Sequence, residues 1–185
     1  QKTAYEILTC DWSSDVCSSD LTTSNSTPQS VDPVSCSSIA KQPASSVPVL
    51  NIELPCADGK SSVFLSEIKG PAVINAWASW CDPCREEIPI FKEFAQLSSG
   101  KIQIIGIDVE ERNKEDGINF ASEMGMSWPQ LFDRDGRTKA AFGMGIPVTW
   151  LINDQGQIVY EKVGPIRTID QMKDLVQHFL GVNLE

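Results

Sequence analysis

The segment Trp80-Cys81-Asp82-Pro83-Cys84 constrains this chain most, because of what stands on either side of it. Before it lies an apolar run, residues 72–78, with the length and composition of a central strand buried on both faces. After it, Ile88, Phe91, Phe94 and Ala95 recur at helical spacing over about residues 83–98. A C-x-x-C at a strand-to-helix junction can close a disulfide across the first helical turn. Unpaired N–H groups and the positive end of the helix dipole favour a thiolate there. The spacing therefore makes Cys81 the attacking thiolate and Cys84, one turn in, the resolving thiol. A bare C-x-x-C also binds metal or forms a structural bridge. With His178 the single histidine, a metal site would be almost all thiolate, and neither metal nor cofactor is expected.

The rest of the chain from residue 49 reads as an α/β domain with a sheet of mixed strand direction. Residues 49–54 and 61–64 flank Asp58-Gly59 and predict a small hairpin. Residues 101–109 predict a second buried strand, 128–132 a short one, and 148–153 with 157–163 a second hairpin. Helices are expected over 113–124, with Asn113 as cap, and over 137–142. Pro89 is expected to kink the helix after the cysteines. The last helix is the clearest: Ile169, Met172, Leu175, Val176, Phe179 and Leu180 share one face. Thr168 with Gln171 makes a capping box, and Gly181 closes the end.

Composition narrows the function classes. The chain has 185 residues, 41% apolar, and a formal charge of −10. That acidity argues against a nucleic-acid partner, and no apolar run approaches the ~18–20 residues of a membrane span. Residues 1–21 carry no helical or strand period and no apolar signal region. They resemble a translated sequencing adapter, so an artefactual leader is expected, with Cys10 and Cys17 outside the chemistry and any export signal missing. Residues 22–48 are rich in Ser, Thr and Pro and read as a flexible tether. The domain is expected over 49–185, as a monomer.

Two further positions bear on the chemistry. Glu87 follows Cys84 by three residues on the same helical face. A carboxylate there could exchange a proton with Cys84; an exposed helix glutamate, as expected for Glu86, is the other reading, and the pattern leaves both open. Pro147, in Gly145-Ile146-Pro147-Val148-Thr149, is a candidate cis proline whose exposed backbone edge would let an extended substrate pair. An ordinary trans proline opening a strand is the alternative.

The residues NAWASWCDPCREEIP, followed about 60 positions later by GIPVTWLIND, resemble the TlpA/ResA/CcmG-like thioredoxin family over about residues 47–182. The resemblance implies a thioredoxin-like fold with an N-terminal hairpin and a helix-strand insertion, here residues 110–135. It implies Cys81 as nucleophile, Cys84 as resolving thiol, Glu87 as the active-site glutamate and Pro147 as the cis proline, with Ile146 and Trp80 beside the substrate. Asn75 stands where cytosolic thioredoxins carry a buried aspartate, leaving Glu87 as the nearest acid to replace it. The family implies an extracytoplasmic, membrane-tethered protein that reduces protein disulfides, in some members the haem-binding cysteines of apocytochrome c, with electrons from a thiol-type membrane donor. For an exported chain, Cys36 and Cys56 are expected to pair; pairing of Cys36 with Cys10 or Cys17 competes if the leader is real. Two other functions compete: a thiol peroxidase, against which the nearby resolving cysteine argues, and a metal-carrying C-x-x-C module.

Overall fold

A computed structural model of the chain describes residues 35–44, 50–143 and 145–184. The expected leader, and the tether as far as residue 34, lie outside the described residues. A short antiparallel hairpin comes first, β1 (Glu53–Pro55) and β2 (Ser62–Phe64). Then follow β3 (Ala72–Trp77), α1 (Asp82–Ser98), β4 (Gln103–Val109), α2 (Lys114–Glu123), β5 (Gln130–Asp133), α3 (Lys139–Phe142), β6 (Val148–Ile152), β7 (Ile158–Val163) and α4 (Ile169–Leu180). Five strands form one sheet in the order β5-β4-β3-β6-β7, with β3, β4 and β5 parallel and β6 and β7 antiparallel to their neighbours.

Because side chains alternate across a strand, the sheet separates two cores. Ala72, Ile74 and Ala76 of β3, with Ile105, Ile107, Val148 and Trp150, face one side and meet Leu54, Val63 and Leu131. Val73 and Trp77 face the other, with Ile104 and Leu151, and bury Ile88, Phe91 and Phe94 of α1 and Met172 and Val176 of α4. Trp77, Trp150, Phe91 and Phe94 are fully buried, each contributing roughly 1.5–3 kcal/mol of apolar transfer. β3, wholly buried, sits in the middle of the sheet and delivers its C-terminal end to the cysteines.

Close approach explains two glycines inside regular elements. A Cβ on Gly106 would lie 1.9 Å from Gln130 Oε1, which accepts from Trp77 Nε1 at 3.0 Å. A Cβ on Gly117, inside α2, would lie 1.8 Å from Asp108 Oδ2. Glycine costs about 1 kcal/mol against alanine in a helix, and here it lets α2 lie directly on β4.

Several expectations change. The domain's packed residues begin before residue 49: Cys36 and Ile39 are buried, Lys41 pairs with Ile68, and the Ala40 backbone exchanges hydrogen bonds with Gln103. The Ser and Pro around them mask how few apolar side chains suffice to fasten a strap. Asn113 holds the N-cap position of α2, yet its side chain makes no capping bond and instead donates to Asp116 Oδ2 at 3.2 Å. The first hairpin strand starts at Glu53 rather than 49.

Candidate active site

Cys81 and Cys84 form a disulfide at the start of α1, with Cα atoms 5.3 Å apart. Cys81 is the N-cap residue, and its sulfur accepts from Cys84 N at 3.2 Å. Pro83 stands in the first turn, where its missing N–H costs nothing. The sulfur of Cys81 therefore sits where the helix offers free N–H groups, the environment that stabilises a thiolate once the bridge is reduced. Cys81 keeps 5% exposure and Cys84 none, so of the pair only Cys81 touches the surface at all. Trp80, 56% exposed, stands beside it.

Beneath the cysteines lies Glu87, fully buried rather than solvent-facing. Asn75 Nδ2 donates to its Oε1 at 2.7 Å and Ile166 N to its Oε2 at 3.0 Å. The same Asn75 amide reaches Thr149 Oγ1 at 3.3 Å. Desolvation pushes the Glu87 carboxyl up from 4.5 to about 7, against the pull of the Ile166 N–H, the Asn75 amide and the charge of Lys162. A carboxyl balanced near neutrality, one turn beyond Cys84, is suited to take or return that thiol's proton. Glu86, by contrast, is exposed and lies 4.0 Å from Arg167.

The Ile146–Pro147 peptide is cis. Ile146 packs against both cores, including the cluster that holds Cys81 and Cys84. Together with Trp80, Ala76, Val109 and Phe142 it lines a small cavity beside the redox turn. Ile146, distant in the chain, is thus brought to Trp80 and the cysteines. Cys36 and Cys56 are also joined, but elsewhere, at the β5 edge of the sheet. No cluster able to hold a metal ion occurs among the described residues.

Some neighbours carry no signature in the sequence. Asp108, at the end of β4 and paired in register with Trp77, is 4% exposed, and its Oδ1 has no hydrogen-bond partner. Burial first, then the charges of Glu111 and Asp116, push its carboxyl up from 3.8 to about 8. Glu111, also buried, accepts from the backbone N–H of Ser79 at 2.5 Å. Asp108 lies near the end of the buried strand expected over 101–109 and Glu111 in the loop after it; neither residue carries a motif that marks it.

Comparison with known proteins agrees with this arrangement. Residues 42–176 match the family model described as Redoxin. The thiol:disulfide interchange protein CycY of Rhizobium leguminosarum bv. viciae is 34% identical over 112 residues, 59% of each chain. The thiol-disulfide oxidoreductase ResA of Bacillus subtilis is 32% identical over 112 residues, 59% of this chain and 62% of that one. The chain thus spans about three fifths of the length of these curated relatives. The crystal structure of StoA from Bacillus subtilis superposes with a TM-score of 0.55 at 25% identity, covering 66% of this chain and 93% of that one. The fold is thioredoxin-like.

Proposed function

We propose that this chain, which belongs to the Redoxin family, is a thiol–disulfide oxidoreductase that exchanges disulfides with protein substrates through Cys81 and Cys84. The observation that carries this is the Cys81–Cys84 bridge on a helix N-terminus, with only its first residue touching the surface and a buried carboxyl one turn beyond the second. The resemblance to ResA and CycY, named for this chemistry, supports the same reading.

In the reducing direction, the Cys81 thiolate attacks one sulfur of the substrate disulfide. That S–S bond breaks, a Cys81–substrate bond forms, and the first substrate sulfur leaves as a thiolate that takes a proton from water. Cys84, giving its proton to Glu87, then attacks the Cys81 sulfur. The mixed disulfide breaks, the second substrate thiol is released, and the two electrons gained by the substrate leave a Cys81–Cys84 bridge. Trp80, Ile146 and Pro147 form the edge against which an extended substrate lies.

The finer reading is a reductant outside the cytoplasm, tethered to a membrane and recharged by a thiol-type membrane donor, with apocytochrome c as a substrate. It rests on the family resemblance. No helix among the described residues is long and apolar enough to cross a membrane. Turnover of insulin disulfides, coupled to dithiothreitol, tests the activity. Catalysed reduction lost in Cys81→Ser is expected; no catalysis by the unaltered protein overturns the reading. A haem-binding-motif peptide in its disulfide form, reduced no faster than an unrelated disulfide peptide, would remove the apocytochrome assignment.

A further inference from the structure

β3 reaches Cys81 through a tight turn: Cys81 N donates to Ala78 O at 3.1 Å, with Ser79 and Trp80 between. In such a turn the N–H of its second residue and the C=O of that residue are left without a partner by the turn itself. The peptide joining the two central residues is also the unit that rotates when a turn changes between types I and II. Here that peptide runs from the Ser79 carbonyl to Trp80 N. Its orientation decides where the Trp80 side chain points and how Cys81 enters α1.

Both free groups of Ser79 are taken. Its N–H donates to Glu111 Oε1 at 2.5 Å, and its carbonyl accepts twice from Arg85, at 2.8 Å from one terminal nitrogen and 3.2 Å from Nε. Glu111 comes from the loop between β4 and α2 and is buried. The Arg85 guanidinium in turn lies 4.4 Å above the ring of Phe120 on α2, which packs against Trp77 at 5.3 Å. Two grips on one residue therefore converge from the same helix-strand insertion, one directly and one through Arg85. A planar fork with two donors on one carbonyl, stacked on an aromatic face, holds orientation as well as distance.

We propose that Arg85 and Glu111 are positioning residues that lock the Ala78–Cys81 turn through the Ser79 backbone, so that Trp80 and the Cys81 sulfur meet a protein disulfide together. This rests on the assignment of Cys81 as the attacking sulfur. Arg85 is exposed, so Arg85→Leu leaves the core unchanged; Glu111→Gln keeps the oxygen that accepts from Ser79 N and removes only the charge.

The test is a double-mutant cycle on the rate of insulin-disulfide reduction, together with the pH profile of Cys81 alkylation by iodoacetamide in each reduced protein. Arg85→Leu and Glu111→Ala are each expected to slow reduction about tenfold, inside the ~100-fold that a 1 Å misplacement can cost. Glu111→Gln should stay within about twofold, and the double variant should be no slower than about the worse single one, since both grips act on the backbone of one residue, Ser79. Glu111→Gln as slow as Glu111→Ala, fully multiplicative single effects, or an unchanged rate in Arg85→Leu would each overturn the proposal. Should Glu111→Ala fail to fold, Arg85→Leu and Glu111→Gln still decide it. If the unaltered protein reduces no insulin, the functional reading fails, and the alkylation profiles judge the clamp alone: a profile identical in Arg85→Leu and the parent overturns it.

Discussion

Two disulfides in this molecule share one bond type and differ in nearly everything around it. Cys81–Cys84 spans three positions, sits on a helix N-terminus, receives an N–H on its first sulfur, and has a buried carboxyl one turn away. Cys36–Cys56 spans 20 positions and joins the N-terminal strap to the first hairpin. Its residues are 2% and 0% exposed and pack among Ile39, Leu54 and Leu131. Cys36 Sγ faces the Gln130 carbonyl at 3.9 Å and Cys56 Sγ accepts from Ser61 Oγ at 3.3 Å; neither sits at the start of an α-helix. The difference teaches that surroundings select the role. A short bridge on a helix terminus closes little chain entropy and stabilises the thiolate it becomes. A long bridge in an apolar core removes entropy from the unfolded chain and lacks a helix terminus to stabilise a thiolate.

The sharpest break between the two regions is expected from the cysteines themselves. Cys81→Ser should abolish insulin reduction, and Cys84→Ser should trap a mixed disulfide on Cys81, seen as a mass adduct that a reductant removes. By contrast, the Cys36→Ser/Cys56→Ser double variant should keep its rate of exchange at about 25 °C while losing about 3 kcal/mol of stability, read from denaturant unfolding of oxidised protein. Loss of exchange without loss of stability would reverse the roles of the two bridges.

A smaller effect is expected at Asp108. Its carboxyl is raised from 3.8 to about 8 in the folded protein, so the folded state holds that proton more tightly than the unfolded one. The stabilisation this provides is complete below about pH 3.8 and is lost as pH rises through about 8. Asp108→Asn should therefore raise the melting temperature at about pH 8 and leave it nearly unchanged at about pH 3.5. Equal shifts at both pH values would refute the titration argument.

The smallest expected change is in the pH profile of thiol reactivity. Glu87 titrates near 7 in the fold, so reactivity of the reduced pair should carry an inflection there that Glu87→Gln removes. An identical profile in the variant would mean that Glu87 is only a buried hydrogen-bond acceptor.

Most of the redox region is legible in the amino-acid sequence. A strand, a C-x-x-C and an amphipathic helix in succession specify a local geometry, and the family resemblance, by setting Asn75 where cytosolic thioredoxins carry an aspartate, implies Glu87 as the replacement acid. Glu87 itself is ambiguous at that level, because helical spacing places it under Cys84 but cannot say that the approach to α4, through Ile166, covers it. The Cys36–Cys56 pair follows from elimination and expected export, whereas the strap's packing does not, since Ser and Pro conceal the few side chains that fasten it. Glu111 and Arg85 stay invisible because both act on backbone atoms of Ser79, and backbone partners leave no residue-type signature. Asp108 is hidden for a related reason: its partner surface is the bare Cα of Gly117.

One titration tests the difference between the two bridges most directly. Oxidised protein is equilibrated across a series of dithiothreitol redox buffers, quenched by alkylation, and each cysteine is mapped by mass spectrometry. Cys81 and Cys84 should become alkylated together in mildly reducing buffer, while Cys36 and Cys56 stay joined until the buffer is far more reducing or the protein unfolds. Alkylation of Cys36 and Cys56 at the same potential as the active pair, or before it, would contradict the division of roles between the two bridges.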